Sequence, residues 1–408
     1  MQTIDSLVRA EIDLRRSGRA QTTLLAVCPN SDAVLEAAVR SAARNRSVML
    51  FAATLNQVDI DGGYTGWTPA MLVSRLHDLA VQYQWNGPLY ACLDHCGPWL
   101  KDRHTLDHLS FEATMQAVKD SLSACLKAGY ALLHIDPTVD RTLPPGESPA
   151  LESVVSRTVE LILHVEEVRS AHHLPKVSYE VGTEEVHGGL VELDRFRCFL
   201  RELKVQLAAV GLGEIWPCFV VAQVGTNLHT TAFDPSAAAK LHEIVSPMGS
   251  LIKGHYSDWV ENPQDYPATG MGGANVGPEF TSEEYLALSQ LEMKERALAV
   301  TRPELHPSGM MLALQSAVEQ SGRWRKWLQP GEESKALNEL PVARREWLYQ
   351  TGARYIWTDA GVLAARKQLY TNLQPYFTDP HGYVLARIEA SIDRYLSDFN
   401  LFNSVDLF

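Results

Sequence analysis

The feature that most limits the fold is an alternation. Through the first three quarters of the chain, short apolar runs of strand length take turns with longer amphipathic segments. The apolar runs cover residues 23–27, 48–53, 89–93, 132–135, 177–180, 215–222, 251–253 and 273–276. Between them, helical periodicity predicts helices over residues 31–43, 69–83, 111–128, 150–171, 193–210, 237–245 and 283–300. Repeated strand-helix units build a parallel sheet. Eight of them in roughly 300 residues predict an α/β chain folded as a (β/α)8 TIM barrel. An open dinucleotide-binding sheet is disfavoured, because no Gly-x-Gly-x-x-Gly turn follows the first strand.

The expected division is a barrel over residues 1–300, carrying the metal and substrate site, and a helical C-terminal extension over residues 301–408. Beyond Thr301, Pro303, Pro307, Gly322, Pro330, Gly331 and Pro341 break the chain into short pieces rich in Trp and Arg, among them Trp324, Trp327, Arg345, Trp347, Arg354 and Trp357. Packing is the ordinary role of such residues. The appendage is expected to lie on the barrel or on a second copy of the chain in a homo-oligomer.

Charge narrows the partners. A formal net charge of −13 leaves no basic footprint for nucleic acid, and it disfavours an anionic membrane surface. No apolar run approaches the ~20 residues that span a bilayer, and Asp5, Glu11, Asp13 and Arg15 interrupt the N-terminus, so a cytoplasmic location is expected. The six cysteines (Cys28, Cys92, Cys96, Cys125, Cys198, Cys218) are scattered through apolar segments. They read as reduced thiols, and Cys92 and Cys96 lack a second pair to complete a zinc knuckle.

In a barrel of this kind, active groups lie just past the C-terminal ends of the strands. Those positions hold Asn56 and Gly62-Gly63-Tyr64-Thr65-Gly66, then Asp94-His95, His134 and Asp136, Glu180, Gln223 with Gly225 to His229, His255 to Asp258, and Asn275 to Pro278. Taken singly, His134 reads as a satisfied core histidine and Asp136 as a helix cap. Taken together, His95, His229 and His255 come from three strand ends and suit a three-ligand catalytic metal site with one open position. Glu180 completes that set or acts as a base. Nitrogen and oxygen donors favour Zn²⁺, with Mn²⁺ or Co²⁺ as substitutes. The glycines from Gly272 to Gly277 run into Thr281-Ser282-Glu283-Glu284, which has the form of a helix N-cap, and their backbone N–H groups offer a phosphate cradle.

At these residues the chain resembles the tagatose-bisphosphate aldolase accessory-subunit (Z-type) family, and more distantly the class II metal-dependent ketose-bisphosphate aldolases. The resemblance rests on Asn56-Gln57-Val58 with Gly62 to Gly66, Asp94-His95 with Gly97-Pro98, His134-Ile135-Asp136, Ser178-Tyr179 with Gly182-Thr183-Glu184, His255 with Ser257-Asp258, Val276-Gly277-Pro278, and Arg354-Tyr355-Ile356-Trp357. It implies a divalent metal and a sugar or sugar phosphate substrate. The Asp-His-Cys element of class II aldolases is similar to Asp94-His95-Cys96, which implies an acid/base and a metal ligand. Their Gly-Thr-Ala-His element resembles residues 225–229 with one residue inserted, and their third histidine maps onto His255.

The family carries two activities. Some members are accessory subunits that stabilise a separate catalytic aldolase; others are 4-epimerases interconverting D-tagatose 6-phosphate and D-fructose 6-phosphate. Because the hydrogen at C4 of a ketose is not acidic, inversion there calls for breaking and remaking C3–C4. Asp94 is the expected proton carrier, with Glu180 as a second base. Asn56, Tyr64, Asp136, Ser257, Asn275, Gly277 and Arg354 are the expected substrate or phosphate contacts. A metal-dependent 3-epimerase, an isomerase or an aldolase uses similar parts.

Overall fold

In a computed structural model, residues 2–144, 147–182, 192–227 and 230–408 are described. Eight parallel strands close into a barrel in sequence order, β1 (Leu24–Val27), β2 (Met49–Thr54), β3 (Leu89–Cys96), β4 (Leu132–Ile135), β5 (Ser178–Gly182), β6 (Phe219–Val221), β7 (Leu251–Gly254) and β8 (Met271–Val276), with β8 pairing back onto β1. The alternation in the sequence is thus a (β/α)8 barrel. Its strands are buried on both faces, one toward the barrel interior and one toward the helices, which is why they read as continuous apolar runs.

The helices are α1 (Ile4–Arg16), α2 (Asp32–Asn45), α3 (Pro69–Gln82), α4 (Asp102–Leu106), α5 (Phe111–Ala128), α6 (Leu151–Ala171), α7 (Leu193–Ala209), α8 (Pro235–Val245), α9 (Asp265–Thr269), α10 (Pro278–Thr301), α11 (Met310–Ser321), α12 (Val342–Gly352), α13 (Ala360–Leu373) and α14 (Pro380–Asp398). Many start as the sequence suggests: Ser31, Thr68 and Ser110 each accept a backbone N–H from the first turn of α2, α3 and α5. Among the described residues no helix is long and apolar enough to cross a membrane.

Several elements depart from the sequence expectation, β3 among them: it runs past Leu93 to Cys96, so Asp94 and His95 lie within the strand and not beyond it. The segment 4–16, whose charges argued against an apolar leader, is an amphipathic helix that buries Ile4, Leu7, Val8 and Ile12. It covers the N-terminal end of the barrel, where Ser178 Oγ accepts from Asp5 N at 3.0 Å and Tyr90 Oη donates to Gln2 O at 3.0 Å. Strand β6 is shorter than expected, with Trp216 outside it donating to Ser250 Oγ at 2.8 Å. Helix α10 begins at Pro278, so Thr281 and Ser282 lie inside the helix, buried, instead of capping it.

The C-terminal helices pack on the barrel. Along the α2–α14 seam, Glu389 takes Arg40 at 2.7 Å and Arg44 at 2.5 Å, and Asp393 takes Asn45 at 2.7 Å. Tyr395 of α14 reaches the barrel mouth, donating to Ser257 O at 2.9 Å and standing 2.6 Å from Glu279 Oε2. Trp324 and Trp327 are buried in the same layer.

One contact on this seam is pH-dependent. Glu36 of α2 accepts from His381 of α14 at 3.0 Å. Burial by itself would raise the Glu36 carboxyl, but the bonds from His381 and Tyr83 hold it at about 2, below its ordinary 4.5. The hydrogen bond to Glu36 raises His381 above its ordinary 6.5. Glu36 therefore contributes stability above pH 4.5 that is lost as pH falls, and His381 contributes stability below pH 6.5 that is lost as pH rises through its raised value. His381→Ala is expected to lower the Tm most between those two values, by the equivalent of about 1 kcal/mol or less, since His381 is half-exposed. A Tm difference that stays flat from pH 4 to pH 8 would refute the assignment.

Candidate active site

The site is built by an irregularity in β3. Along a regular strand, neighbours point to opposite faces. The β3–β4 register shifts between Leu93 and Cys96, and His95 adopts a left-handed backbone at φ 47°. That bulge lets the adjacent Asp94 and His95 both face the mouth. Gly97 then makes the turn possible, because a Cβ there would lie 1.8 Å from the Asp136 carbonyl oxygen. The close approach brings the end of β4 beside His95.

Asp94, His95, His134 and His255 place one donor atom each within 4.8 Å of one another. His95 Nε2 and His255 Nδ1 face each other at 2.7 Å. The far side of each ring is held by a carboxylate: His95 Nδ1 meets Asp136 Oδ2 at 2.7 Å, and His255 Nε2 meets Glu180 Oε1 at 2.9 Å. When those outer nitrogens donate, the two inner ones present lone pairs to each other. Such a pair repels unless a proton or a cation lies between them.

Carboxylate-backed imidazoles turned toward one point are the arrangement that holds transition metals. Asp94 Oδ1 lies 3.3 Å from His134 Nδ1, 3.7 Å from His255 Nε2 and 4.0 Å from His95 Nε2. His134 Nδ1 accepts the His95 backbone N–H at 3.1 Å, and its Nε2 is buried with no protein partner. The donor set and the facing nitrogens fit a divalent transition-metal cation.

Burial alone would raise the Asp94 carboxyl, but His95, His255, His134 and Lys253 outweigh it and hold it well below the usual carboxylate range. Asp136 is lowered in the same way, against its burial, by His95. Glu180 is fully enclosed and sits at about 2 because Lys253 offsets its burial. Lys253 Nζ contacts both Glu180 oxygens, at 2.9 and 2.7 Å.

The expected site residues separate into groups. Asp94, His95 and His255 converge. His134, read from sequence as core, joins them. Glu180 lies outside the four-residue cluster, occupied by Lys253 and His255, and Asp136 backs His95. His229 lies outside the described residues. Asn56 has both ends of its amide committed, donating to Leu100 O and accepting from Asp102 N, each at 2.9 Å, so it ties two loops together. Tyr64 donates to Asn30 Oδ1 at 2.7 Å and packs edge-on against Tyr355.

The phosphate cradle is corrected by the structure. Gly272, Gly273 and Asn275 lie within β8 itself, not in a turn. The N–H groups of Gly277 and Glu279 at the start of α10 already donate to Asp258 Oδ1, at 3.0 and 2.7 Å, so a protein carboxylate fills the anion position. Burial, with Glu279 nearby, raises that carboxyl to about 7 despite these bonds. Ser257 is buried and accepts from Tyr266 at 3.1 Å. Ser257 and Gly277 therefore serve the wall of the barrel.

Unused polar capacity lies elsewhere on the rim. Both amide atoms of Asn275, Asn30 Nδ2 and one guanidinium nitrogen of Arg354 are buried without a protein partner. Arg354 stacks on Trp327 at 4.1 Å, and its Nε donates to Thr351 O at 2.9 Å. It lines a cavity of 280 Å3 between the barrel mouth (Tyr256, Asp258, Trp259) and the C-terminal helices (Trp327, Thr351). Sequence reasoning missed Lys253 and Asn30. A lysine within the apolar run Leu251-Ile252-Lys253 was the available signal for the first; nothing local distinguished the second.

Comparison with known proteins agrees with the barrel fold. Over its full length a structure from Sinorhizobium meliloti 1021, described as a probable tagatose 6 phosphate kinase, superposes on 92% of this chain with a TM-score of 0.75 at 21% identity. Fructose-bisphosphate aldolase (Fba) from Campylobacter jejuni covers 98% of this chain over 93% of its own, with a TM-score of 0.54 at 12% identity. At such identities both likenesses concern the fold. The model for the D-tagatose-1,6-bisphosphate aldolase subunit GatZ/KbaZ-like matches residues 9–386, nearly the whole chain, and the chain belongs to that GatZ/KbaZ-like family.

Proposed function

We propose that the chain is a metal-dependent ketose phosphate 4-epimerase, interconverting D-tagatose 6-phosphate and D-fructose 6-phosphate by retro-aldol cleavage and recombination. The observation that carries the reading is Asp94, a carboxylate set among three imidazoles of which two turn facing nitrogens toward one point. His95, His134 and His255 would hold the metal, with His229 as a further ligand. A divalent cation there supplies Lewis acidity to a carbonyl oxygen.

Asp94 takes the proton of the C4 hydroxyl. As the C4 carbonyl forms, the C3–C4 bond breaks and its electron pair passes into the C2–C3 enediolate. The aldehyde fragment turns its other face, the pair returns to C4, and Asp94 gives the proton back to the new hydroxyl. Glu180 is held by Lys253 and is assigned to orient His255. Asp136 orients His95. Asn275 contacts the sugar, and Tyr64 holds Asn30 at its edge.

Arg354 is assigned the phosphate, because its guanidinium has spare donors at a cavity on the mouth. Arg354→Gln is expected to raise KM for the 6-phosphate by about 10- to 100-fold, the worth of a hydrogen bond to a charged group. KM for the unphosphorylated ketose should not move, and an equal rise for both would remove Arg354 from this role.

The deciding experiment follows ketohexoses and their 6-phosphates by NMR in D2O with the metal-supplemented chain. Interconversion at C4 without released fragments, and without deuterium at C1 or C3, is the expected result. Deuterium at either carbon would replace the reading with 3-epimerisation or aldose-ketose isomerisation. An inert chain that co-purifies with a catalytic aldolase would replace it with the accessory role.

A further inference from the structure

A lysine inside a barrel is costly unless its charge is matched, because desolvating an ammonium carries a penalty of several kcal/mol that only close partners offset. Lys253 is fully enclosed, and its neighbours explain how it is tolerated. Its stem fits because β8 has no side chain at residue 273: a Cβ on Gly273 would stand 3.1 Å from Lys253 Cγ and Cδ. Its ammonium meets both oxygens of Glu180. From Glu180 the chain of contacts continues to His255 Nε2, and across the ring His255 Nδ1 faces His95 Nε2. His255 follows the last residue of β7 and lies two positions beyond Lys253, and both side chains reach Glu180 in the interior.

We propose that Lys253 is a positioning residue for the metal centre: by gripping both oxygens of Glu180 it fixes that carboxylate as the acceptor of the His255 Nε2–H, which aims Nδ1 into the site. The inference rests on the reading of His95 and His255 as metal-holding residues. Without the lysine, the carboxylate loses the contacts that fix both of its oxygens, and its hold on the His255 Nε2–H is less directed. A merely structural ion pair would contribute to folding and leave metal affinity alone.

The test uses the full chain, stripped of metal with a chelator and titrated with Co²⁺ by calorimetry and visible absorption. Lys253→Met/Glu180→Gln removes both charges together, so it keeps the interior neutral and filled, and it leaves an acceptor at residue 180 that the lysine no longer orients. This double variant, with its fold checked by circular dichroism, is expected to bind Co²⁺ about 10- to 100-fold more weakly than the wild type, the usual cost of losing an outer partner of a metal-binding histidine. Unchanged Co²⁺ affinity in the folded double variant overturns the positioning role while leaving the metal reading intact. A wild-type chain that takes up no Co²⁺ overturns the metal reading and the inference with it.

If the double variant does not fold, the decision falls to the metal-free wild type labelled with 15N-histidine, with the His255 signals identified by their loss in His255→Gln. Protonation at Nε2 supports the proposal. Protonation at Nδ1 alone contradicts it.

Discussion

Asp94→Asn is expected to lower kcat by about 1,000-fold, within the range that one general acid–base group supplies. The asparagine keeps the size and the hydrogen-bonding shape of the side chain and removes only its ability to take a proton. Metal content is the informative second readout, because Asp94 is also one of the four residues whose donor atoms cluster. As the proton carrier, its replacement leaves bound metal unchanged, and KM moves little. As a metal ligand, its replacement would strip metal and activity together, and added metal would restore turnover. Elemental analysis of wild type and variant alongside kcat distinguishes the two. A variant that retains wild-type turnover would end Asp94's role in the chemistry.

Lys253→Met alone is expected to destabilise the protein by about 3–5 kcal/mol, because it strands a buried carboxylate without its cation. Glu180 cannot turn to water, since it is fully enclosed. Pairing Lys253→Met with Glu180→Leu should recover most of that loss, as apolar replacement of both members of a buried pair is often neutral. Chemical denaturation of wild type, single and double variants measures the three values. A single variant within about 1 kcal/mol of the wild type would mean that water or another cation reaches Glu180.

The barrel was legible in the sequence because its strands are buried on both faces and its helices carry capping residues, so local pattern and global fold agree. The site was half legible. Asp94, His95 and His255, which the structure brings together, stand where an apolar run gives way to polar residues. The amphipathic helix before β1 is hard to see in the sequence because its charged residues dominate a short segment, although its apolar stripe is regular. The phosphate cradle failed for a different reason: Asp258, distant in sequence from Gly277 and Glu279, supplies the anion that the start of α10 requires. No local pattern records a partner brought in by the fold. His134 was ambiguous because a histidine in an apolar strand looks the same whether its ring meets the core or the site.

The tie between Tyr395 and the loop after β7 bears on how the protein is made. Ser257 and Glu279 meet a side chain 138 and 116 positions further along the chain, and the helix that carries it also locks onto α2 through Glu389 and Asp393. Domains generally fold as they leave the ribosome, and contacts between distant positions must wait for the later partner. A nascent chain that has already produced all eight strands still lacks the helix that braces the rim of its mouth. The barrel can therefore close before its rim is braced, and maturation of the site awaits synthesis of α14.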